Sequence, residues 1–286
     1  MTDVVLSPIA DGDVPDVARF LHDELNPSVS VEAWRALLTP PWGDRGPDHG
    51  YQLRVAGTLV GVYAAVYSER DVDGAAVSVC NLAAFCVRDD YRTHSLRLVR
   101  ALLKRRDYVF TDFSPSGNVV AMNERLGFRR LDTSTRLVVN LPLPRIRGIL
   151  LTEDPDVIAA TLRGKDAIAF RDHRDAAAAR HLLVRRGDDY AYLVVRADSR
   201  KRMRLFALPL YVGGDPAVLD AAWGSVRAHL LRRHRLVFIL GERNILPFAR
   251  GLGRELRDPR PKMIRGEGIP AAEVDYLYSE LALVSW

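Results

Sequence analysis

Cysteine is scarce in this chain of 286 residues, which has only two, Cys80 and Cys86. Both lie in one apolar run, and if that run is a strand, six steps of roughly 3.3 Å hold them about 20 Å apart. A disulfide needs Cα atoms within about 7 Å, so the two cannot bond to each other. Because there is no Cys-x-x-Cys and no ligand spacing among the seven histidines, we expect no metal site.

Long apolar runs are also missing, since none approaches the roughly 18 residues that a membrane span needs. The amino terminus lacks the basic and then apolar regions of a signal peptide. Apolar residues make up 48% and charged residues 27% of the chain, which excludes a disordered or collagen-like protein. We therefore expect a cytoplasmic globular protein of about two domains, with no membrane partner.

Lysine is scarce too, with only four among the 41 basic residues. Residues 1–144 carry 16 Lys and Arg against 18 Asp and Glu, a net charge of −2, whereas residues 145–286 carry 25 against 18, a net charge of +7. The basic second half is compatible with RNA. However, no interleaving of aromatic and basic residues typical of an RNA-reading motif is present, so a nucleic-acid partner is not favoured.

Hydrophobic periodicity predicts a mixture of strands and helices in the first half of the chain. A strand, two helices and a hairpin come first. The predicted elements that follow are a buried strand over 77–87, an amphipathic helix over 94–106, a strand over 108–113, a helix over 117–126 and a strand pair within 128–141.

A similar order of elements is predicted after a proline-rich connector at residues 141–144. The predicted helices cover 156–162, 175–183, 216–233 and 245–256, and the predicted strands cover 189–197, 203–212, 236–240 and 275–284. This repetition predicts a duplicated architecture with one domain in residues 1–143 and a second in residues 144–286.

The segment at residues 87–98, Val-Arg-Asp-Asp-Tyr-Arg-Thr-His-Ser-Leu-Arg-Leu, joins the buried strand to the amphipathic helix. Free backbone N–H groups at a helix start attract anions, and the helix dipole adds to this attraction. The segment therefore predicts a pyrophosphate site formed by the amides of residues 93–97, with charge-assisted bonds from Arg92 and Arg97.

This segment resembles the GNAT acyltransferase superfamily, which binds acyl-CoA through Arg/Gln-x-x-Gly-x-Gly/Ala after a hydrophobic-x-x-x-Tyr-Arg lead-in. Residues 87–92 match the lead-in, and residues 118–128, ending in Leu-Gly-Phe, resemble a second family segment. The resemblance covers residues 3–140. Together with the element order, it implies an α/β protein of two tandem GNAT-like domains, each a mixed, mostly antiparallel sheet flanked by helices. The second domain would be degenerate and would shape the acceptor pocket.

The resemblance also implies that pantetheine inserts between the strands at 77–87 and 108–113. The implied residues for binding acetyl-CoA or another acyl-CoA are Phe85, Cys86, Val87, Arg92, Thr93, His94, Ser95, Leu96, Arg97 and Asn118. The sequence departs from the family where Ser95 and Arg97 replace two small residues. It also has Asn123 where many members carry a catalytic tyrosine, and an amide can donate a hydrogen bond to a thiolate but cannot give it a proton.

An acceptor amine must lose a proton, which requires a base. Asp112 is the best-placed acid for this role, although its alternative is to cap the turn at Ser114 and Ser116. The helix and hairpin that cover the acceptor site in this family, together with the buried strand, supply the predicted substrate-binding residues His22, Glu24, Glu69 and Asn81.

We therefore expect an acyl-CoA-dependent N-acyltransferase, with acetyl-CoA as the expected donor, that acts on a small-molecule amine by direct transfer and uses no metal. One alternative is an aminoacyl-tRNA-dependent transferase with twin GNAT-like domains. The other is a non-catalytic CoA-binding protein, which the departures at Arg97 and Asn123 favour. The expected assembly is a monomer or a homodimer.

Overall fold

The computed structural model describes residues 3–42, 46–144, 146–200 and 203–285. The chain divides into two compact units. The first contains residues 1–131, 261–271 and 278–284, and the second contains 132–260, 272–277 and 285–286. The chain thus returns to the first unit after residue 260. The division into consecutive domains 1–143 and 144–286 stays a prediction.

The first unit is built on one seven-stranded sheet. Its strands are β1 (Val4–Pro8), β2 (Gly50–Val55), β3 (Thr58–Val72), β4 (Ala75–Val87), β5 (Val109–Asp112), β6 (Arg129–Arg130) and, numbered in chain order, β14 (Met263–Arg265). Its helices are α1 (Val14–Phe20), α2 (Val31–Leu38), α3 (Ser95–Leu103), α4 (Asn118–Arg125) and α8 (Glu280–Leu283). The strand order is β1-β2-β3-β4-β5-β14-β6, and only the β4–β5 pair is parallel.

Short irregular helices complete the first unit. A 3₁₀ helix over Asp11–Asp13 leads into α1, which continues as one π-helical stretch at Leu21–Leu25. Another 3₁₀ helix at Asp89–His94 leads into α3. A third, at Ala271–Glu273, lies between β14 and α8 in the chain.

The amphipathic pattern of α3 explains how this helix packs on the sheet. Leu98, Val99 and Leu102 are fully buried in the same core cluster as strand residues such as Leu53 and Phe110. Burying one such side chain contributes roughly 1.5–3 kcal/mol. This burial fixes α3 on the sheet and therefore fixes the turn that precedes it.

Two tight turns set the register of the antiparallel strands. Ala56 and Gly57 both have positive φ, 47° and 82°, in the turn between β2 and β3. Asp73 and Gly74, at 52° and 83°, do the same between β3 and β4. Consecutive left-handed residues match the twist of a two-residue hairpin, and they favour glycine because it has no Cβ. The predicted hairpin at Ala56-Gly57 is confirmed.

The second unit is also built on a seven-stranded sheet. Its strands are β7 (Thr135–Val139), β8 (Leu150–Thr152), β9 (Arg180–Arg186), β10 (Asp189–Arg200), β11 (Met203–Gly214), β12 (Phe238–Glu242) and β13 (Gly253–Glu255). Its helices are α5 (Pro155–Thr161), α6 (Gly164–His173) and α7 (Pro216–His234). The strand order is β13-β7-β12-β11-β10-β9-β8, and only the β11–β12 pair is parallel.

The two sheets repeat one plan. In each, an antiparallel series of strands is followed by a helix that crosses over to a parallel strand, through α3 to β5 in the first unit and through α7 to β12 in the second. The prediction of two mixed, mostly antiparallel sheets flanked by helices is confirmed.

The predicted strand pair within 128–141 is wrong. Arg129 and Arg130 form β6, which pairs with β14, whereas β7 pairs with β12 and β13 in the other sheet. The partner of each strand is supplied by residues more than 95 positions away in the chain. A local pattern cannot show such long-range pairing.

Three predicted elements of the second half are also wrong. The predicted helix at 175–183 contains four consecutive alanines, but α6 ends at His173 and β9 begins at Arg180. The predicted helix at 245–256 is a series of turns followed by β13, and it contains Gly251 at φ 126°. The predicted strand at 275–284 instead contains α8, which Ser279 caps by accepting a bond from the Leu281 amide. Strand pairing overrode helix propensity in the first segment, and a glycine with positive φ did so in the second.

None of the helices in the described ranges combines the length and apolar character needed to cross a bilayer. Cys80 and Cys86 both lie on β4, and both are free, in agreement with the expectation that they do not bond to each other.

Candidate active site

The parallel strands β4 and β5 form a fork. They pair only over residues 79–81 and 109–111. β5 ends at Asp112, whereas β4 continues to Val87. In the part of the chain that the structure describes, residues 82–87 therefore pair with β3 alone, and no strand pairs with their other edge.

A β-bulge lies where the two strands separate. Ala64 of β3 pairs with Ala84, and Ala65 pairs with Leu82, so Ala83 has no opposite residue on β3. Bulges bend a strand and re-aim its backbone groups. This bulge therefore bends β4 just beyond its last residue paired with β5.

Asn81 lies at the closed end of the fork. It is fully buried, and its Nδ2 donates to Thr111 Oγ1 over 3.1 Å, which bridges β4 and β5 at their last paired residues. Its Oδ1 has no hydrogen-bond partner. The predicted substrate-binding role of Asn81 stays a prediction, and the bridge gives this residue a structural role as well.

Asp112 is the last residue of β5 and is only 4% exposed. Its Oδ1 accepts a bond from the Ser114 amide at 3.3 Å, and its Oδ2 accepts one from Asn123 Nδ2 at 2.8 Å. Burial raises the pKa of Asp112 to about 6, against the opposing effect of these two hydrogen bonds. The alternative turn-capping role is therefore present, but the carboxyl group also has a pKa suited to taking up a proton near neutral pH.

Asn123 contacts a different group from the one that the family resemblance implies. It is fully buried on α4, and its amide donates to Asp112 rather than pointing to an open surface. Its Oδ1 has no hydrogen-bond partner among the described residues. The contact makes Asn123 a residue that orients Asp112, whereas a direct bond to a CoA thiolate stays a prediction.

A second buried carboxyl group lies beside the fork and was missed by the sequence analysis. Ser114 Oγ donates to Glu280 Oε1 over 2.7 Å, and Glu280 on α8 is fully buried. Burial raises the pKa of the Tyr63 phenol, and the charges of Asp112 and Glu280 raise it further, so both carboxyl groups lie near Tyr63. No local signal could reveal Glu280, because it lies 166 residues after Ser114.

The turn after β4 is more regular than a bare anion-binding loop. It is the 3₁₀ helix at Asp89–His94, and the Ser95 amide already donates to the Arg92 carbonyl. The expectation that the Ser95 amide is free for a pyrophosphate is therefore wrong, because the 3₁₀ helix joins α3 without a break. Thr93 is exposed, and Leu96 packs against the core.

The two arginines of this turn have different partners. Arg92 forms an ion pair with Asp89 at 2.7 Å, and both side chains are more than 70% exposed, so its guanidinium can be recruited by a ligand. Arg97 Nη1 donates to the Val4 carbonyl at 2.9 Å and to His94 Nδ1 at 3.3 Å. Arg97 is thus directed towards β1, and a phosphate would have to compete for it.

The remaining cofactor candidates lie at the ends of the fork. Phe85, Cys86 and Val87 are half-buried at the end of β4, with Phe85 against Tyr63 at a ring distance of 4.6 Å. Burial raises the pKa of Cys86 to about 11, so this residue is a neutral thiol at physiological pH. Asn118 is exposed at the start of α4.

Three substrate-binding residues were predicted on the helix and hairpin, and the structure places one of them near the turn that follows β4. Glu24 pairs at 3.0 Å with Arg88, the residue that follows β4. His22 is held by the Val29 carbonyl at 2.7 Å, which gives it a local structural role. Glu69 is exposed on β3 opposite Ser78, eight residues along β4 from Cys86, or about 26 Å at 3.3 Å per residue. Glu69 is therefore apart from the other candidates.

The chain is similar in fold to solved acetyltransferases. A GCN5-related N-acetyltransferase from Anabaena variabilis superposes with a TM-score of 0.59 at 9% identity, over 92% of this chain and 72% of that one. A GCN5-related N-acetyltransferase from Kribbella flavida gives a TM-score of 0.59 at 12% identity, over 92% and 71%. No protein-family model and no curated protein sequence matches. The chain therefore shares its fold with these solved N-acetyltransferases over most of its length.

Proposed function

We propose that this protein is an acyl-CoA-dependent N-acyltransferase that transfers an acyl group, with acetyl as the expected one, to the amine of a small molecule. One observation carries the proposal. The first unit combines an open strand fork with a buried carboxyl group, Asp112, whose pKa is about 6, at the end of the shorter strand. The predicted cytoplasmic location rests on the sequence alone.

The open edge of β4 supports thioester binding. An extended pantetheine arm carries amide groups, which can bond to the unpaired N–H and C=O groups of residues 82–87 as an additional strand would. The last three residues of β4 are half-buried, whereas residues 82–84 are buried, so the arm would enter from the end of the strand near Val87. Backbone N–H groups here would also polarise the acyl carbonyl for attack.

Asp112 would act as the base for the acceptor. In direct transfer the amine nitrogen attacks the thioester carbonyl, a C–N bond forms, the C–S bond breaks, and the sulfur leaves as a thiolate. The proton of the attacking amine passes to Asp112, directly or through water. Asn123 holds one oxygen of this carboxylate at 2.8 Å, which orients it for the transfer.

Thermal stability in the presence of acetyl-CoA tests the donor site. At a ligand concentration about 100-fold above Kd, binding stabilises the folded protein by about 2.7 kcal/mol, which raises Tm by roughly 5–10 °C for a unit of this size. We expect Arg92→Glu to abolish most of this shift, because it places a negative charge beside the pyrophosphate.

Arg100→Glu provides a matched control for this experiment. Arg100 is exposed on α3 and undergoes the same charge reversal, but it lies two helical turns away from Arg92. Its variant should keep the full acetyl-CoA shift. If millimolar acetyl-CoA leaves Tm of the natural protein unchanged, the donor assignment fails. A steep salt dependence of tRNA binding in the same samples would then support the aminoacyl-tRNA alternative.

A non-catalytic CoA-binding protein is the second candidate function. The departures from the family sequence at Arg97 and Asn123 favour it, because an asparagine amide cannot give a proton to the leaving thiolate. Mass spectrometry of amine libraries incubated with acetyl-CoA distinguishes the two functions. Acetylated product supports the transferase, whereas CoA binding without product across a broad panel supports the binding protein.

A further inference from the structure

Two histidines and one glutamate of the second unit meet at a point that the fork does not involve. Glu153 lies between β8 and α5, and His229 and His234 lie in the last turns of α7. The candidate ligand atoms of all three side chains are within 4.8 Å of one another. No such site was expected from the sequence, since the glutamate that completes it precedes His229 by 76 residues.

The three side chains converge on one oxygen atom. His229 Nε2 lies 2.6 Å from Glu153 Oε1, and His234 Nε2 contacts the same Oε1. The two rings are inclined at 69° with their centroids 5.8 Å apart, so they approach from different directions. Zinc binds imidazole and carboxylate at about 2.0 Å, which needs neighbouring ligand atoms about 3.3 Å apart in a tetrahedral site. The histidine Nε2 atoms would therefore have to move away from Glu153 Oε1 by less than 1 Å to admit the ion.

The exposure of this cluster also suits a cation. The side chains of Glu153 and His229 are 29% and 23% exposed, and that of His234 is 9% exposed. An ion can therefore enter from solvent, and water can complete its coordination.

One cation opposes metal binding at this point. Arg180 donates from Nη1 to His234 Nδ1 over 3.3 Å. This bond favours the His234 tautomer that carries its proton on Nε2, whereas a metal ligand needs the lone pair on Nε2 and the proton on Nδ1. Arg180 must therefore withdraw when a metal binds, and its removal should strengthen binding.

We propose that Glu153, His229 and His234 form a binding site for a transition-metal dication of the zinc class. Two imidazoles and one carboxylate are ligands typical of zinc, and three protein ligands leave one position for water. The bound metal would join the segment after β8 to the carboxyl end of α7. This site is independent of the proposed acyl transfer.

Calorimetric titration of EDTA-treated, dialysed protein with Zn²⁺ tests the site, and the visible spectrum of added Co²⁺ reports the coordination geometry directly. We expect one saturable equivalent and the strong absorption of tetrahedral Co²⁺. His229→Ala should weaken Zn²⁺ binding at least tenfold, since loss of even an outer partner of a metal ligand costs about 10–100-fold. Arg180→Met should strengthen it several-fold, a gain that a misfolded variant could not give.

His94→Ala removes a histidine of the first unit and should leave Zn²⁺ binding unchanged. Binding that is equally weakened by His94→Ala, or not weakened by His229→Ala, would assign the metal to other side chains and overturn the proposal. The absence of saturable binding at 100-micromolar Zn²⁺ in the natural protein would also overturn it, because the cluster would then be a hydrogen-bonded trio only.

Discussion

Asp112→Asn is expected to reduce kcat of the proposed acetyl transfer by about 10²–10⁴-fold, the usual contribution of a positioned general base. The change is nearly isosteric, but it removes the negative charge and with it the ability to take up a proton. Because Asp112 has a pKa of about 6, the natural protein should show a kcat/KM that rises with pH through 6, and the variant should lose this dependence. KM for acetyl-CoA should change little, since Asp112 lies at the end of β5 rather than on the open edge of β4.

Two further variants make this result specific. Asp107→Asn changes an exposed aspartate just before β5 and should leave both kcat and the pH profile intact. Glu280→Gln removes the charge of the second buried carboxyl group beside Ser114. If Glu280→Gln abolishes the pH dependence and Asp112→Asn retains it, the base is Glu280 and the assignment of Asp112 is wrong.

The same Asp112→Asn variant should gain stability at neutral pH, which separates a catalytic loss from misfolding. The folded-state pKa of Asp112 is raised above its unfolded value, so its contribution to stability is complete below about pH 4 and is lost as pH rises through 6. A difference of about two pKa units corresponds to about 3 kcal/mol at most. An asparagine at this position carries no charge and therefore avoids this loss of stability. Asn123 can rotate its amide so that its Oδ1 accepts a hydrogen bond from the new NH₂ group.

Urea unfolding at several pH values measures this effect. The unfolding free energy of Asp112→Asn minus that of the natural protein should increase between pH 4 and 7 and should be constant above pH 7. A difference that does not vary with pH would mean that Asp112 has an ordinary pKa, and its role as a base near neutral pH would lose its support.

The features predicted best from the sequence are those that depend on neighbouring residues. The strand over 77–87, the helix after it and the parallel strand at 108–113 each have a clear local pattern, and the structure contains β4, α3 and β5 at these places. The resemblance to the GNAT superfamily, rather than these patterns, implied that a ligand inserts between two of these strands. The fork follows from strand lengths, since β4 has 13 residues and β5 only four.

The features that could not be predicted depend on contacts between distant parts of the chain. β14 pairs with β5 although about 150 residues separate them, and α8 brings Glu280 to Ser114. The histidines of α7 likewise meet Glu153 only in the folded second unit. Local patterns record the propensity of a segment but not its partner, so these groups could be found only from the structure.

A buried ion pair that involves Arg105, two residues after α3, was also invisible in the sequence. Arg105 contacts Asp48 through both of its terminal nitrogens, with one distance of 3.1 Å, and the Asp48 side chain is only 4% exposed. Asp48 Oδ1 also accepts from the Tyr67 hydroxyl at 3.0 Å and from the Gly50 amide at 2.9 Å. Asp48 lies in a loop rich in Gly, Pro and Asp, where an acidic residue is usually solvated.

Asp48→Ala should therefore destabilise the protein by about 3–5 kcal/mol, the usual cost of removing one member of a buried charge pair. The cost arises because Arg105, whose side chain is 18% exposed, keeps its charge without its carboxylate, and because Tyr67 and Gly50 lose an acceptor. Such a loss is large against the 5–15 kcal/mol that holds a typical domain folded. Urea unfolding at pH 7 measures it.

Asp16→Ala is the matched control, because Asp16 is 68% exposed and lies 3.5 Å from Arg54, so its loss should change stability by no more than about 0.5 kcal/mol.

The double variant Asp48→Leu with Arg105→Met removes both charges together, and we expect it to recover most of the lost stability because no unpaired charge remains buried. A cost below about 1 kcal/mol for Asp48→Ala would show that solvent reaches Arg105 and screens it. If the double variant does not recover the lost stability, the loss arises instead from the missing hydrogen-bond acceptor of Tyr67 and Gly50.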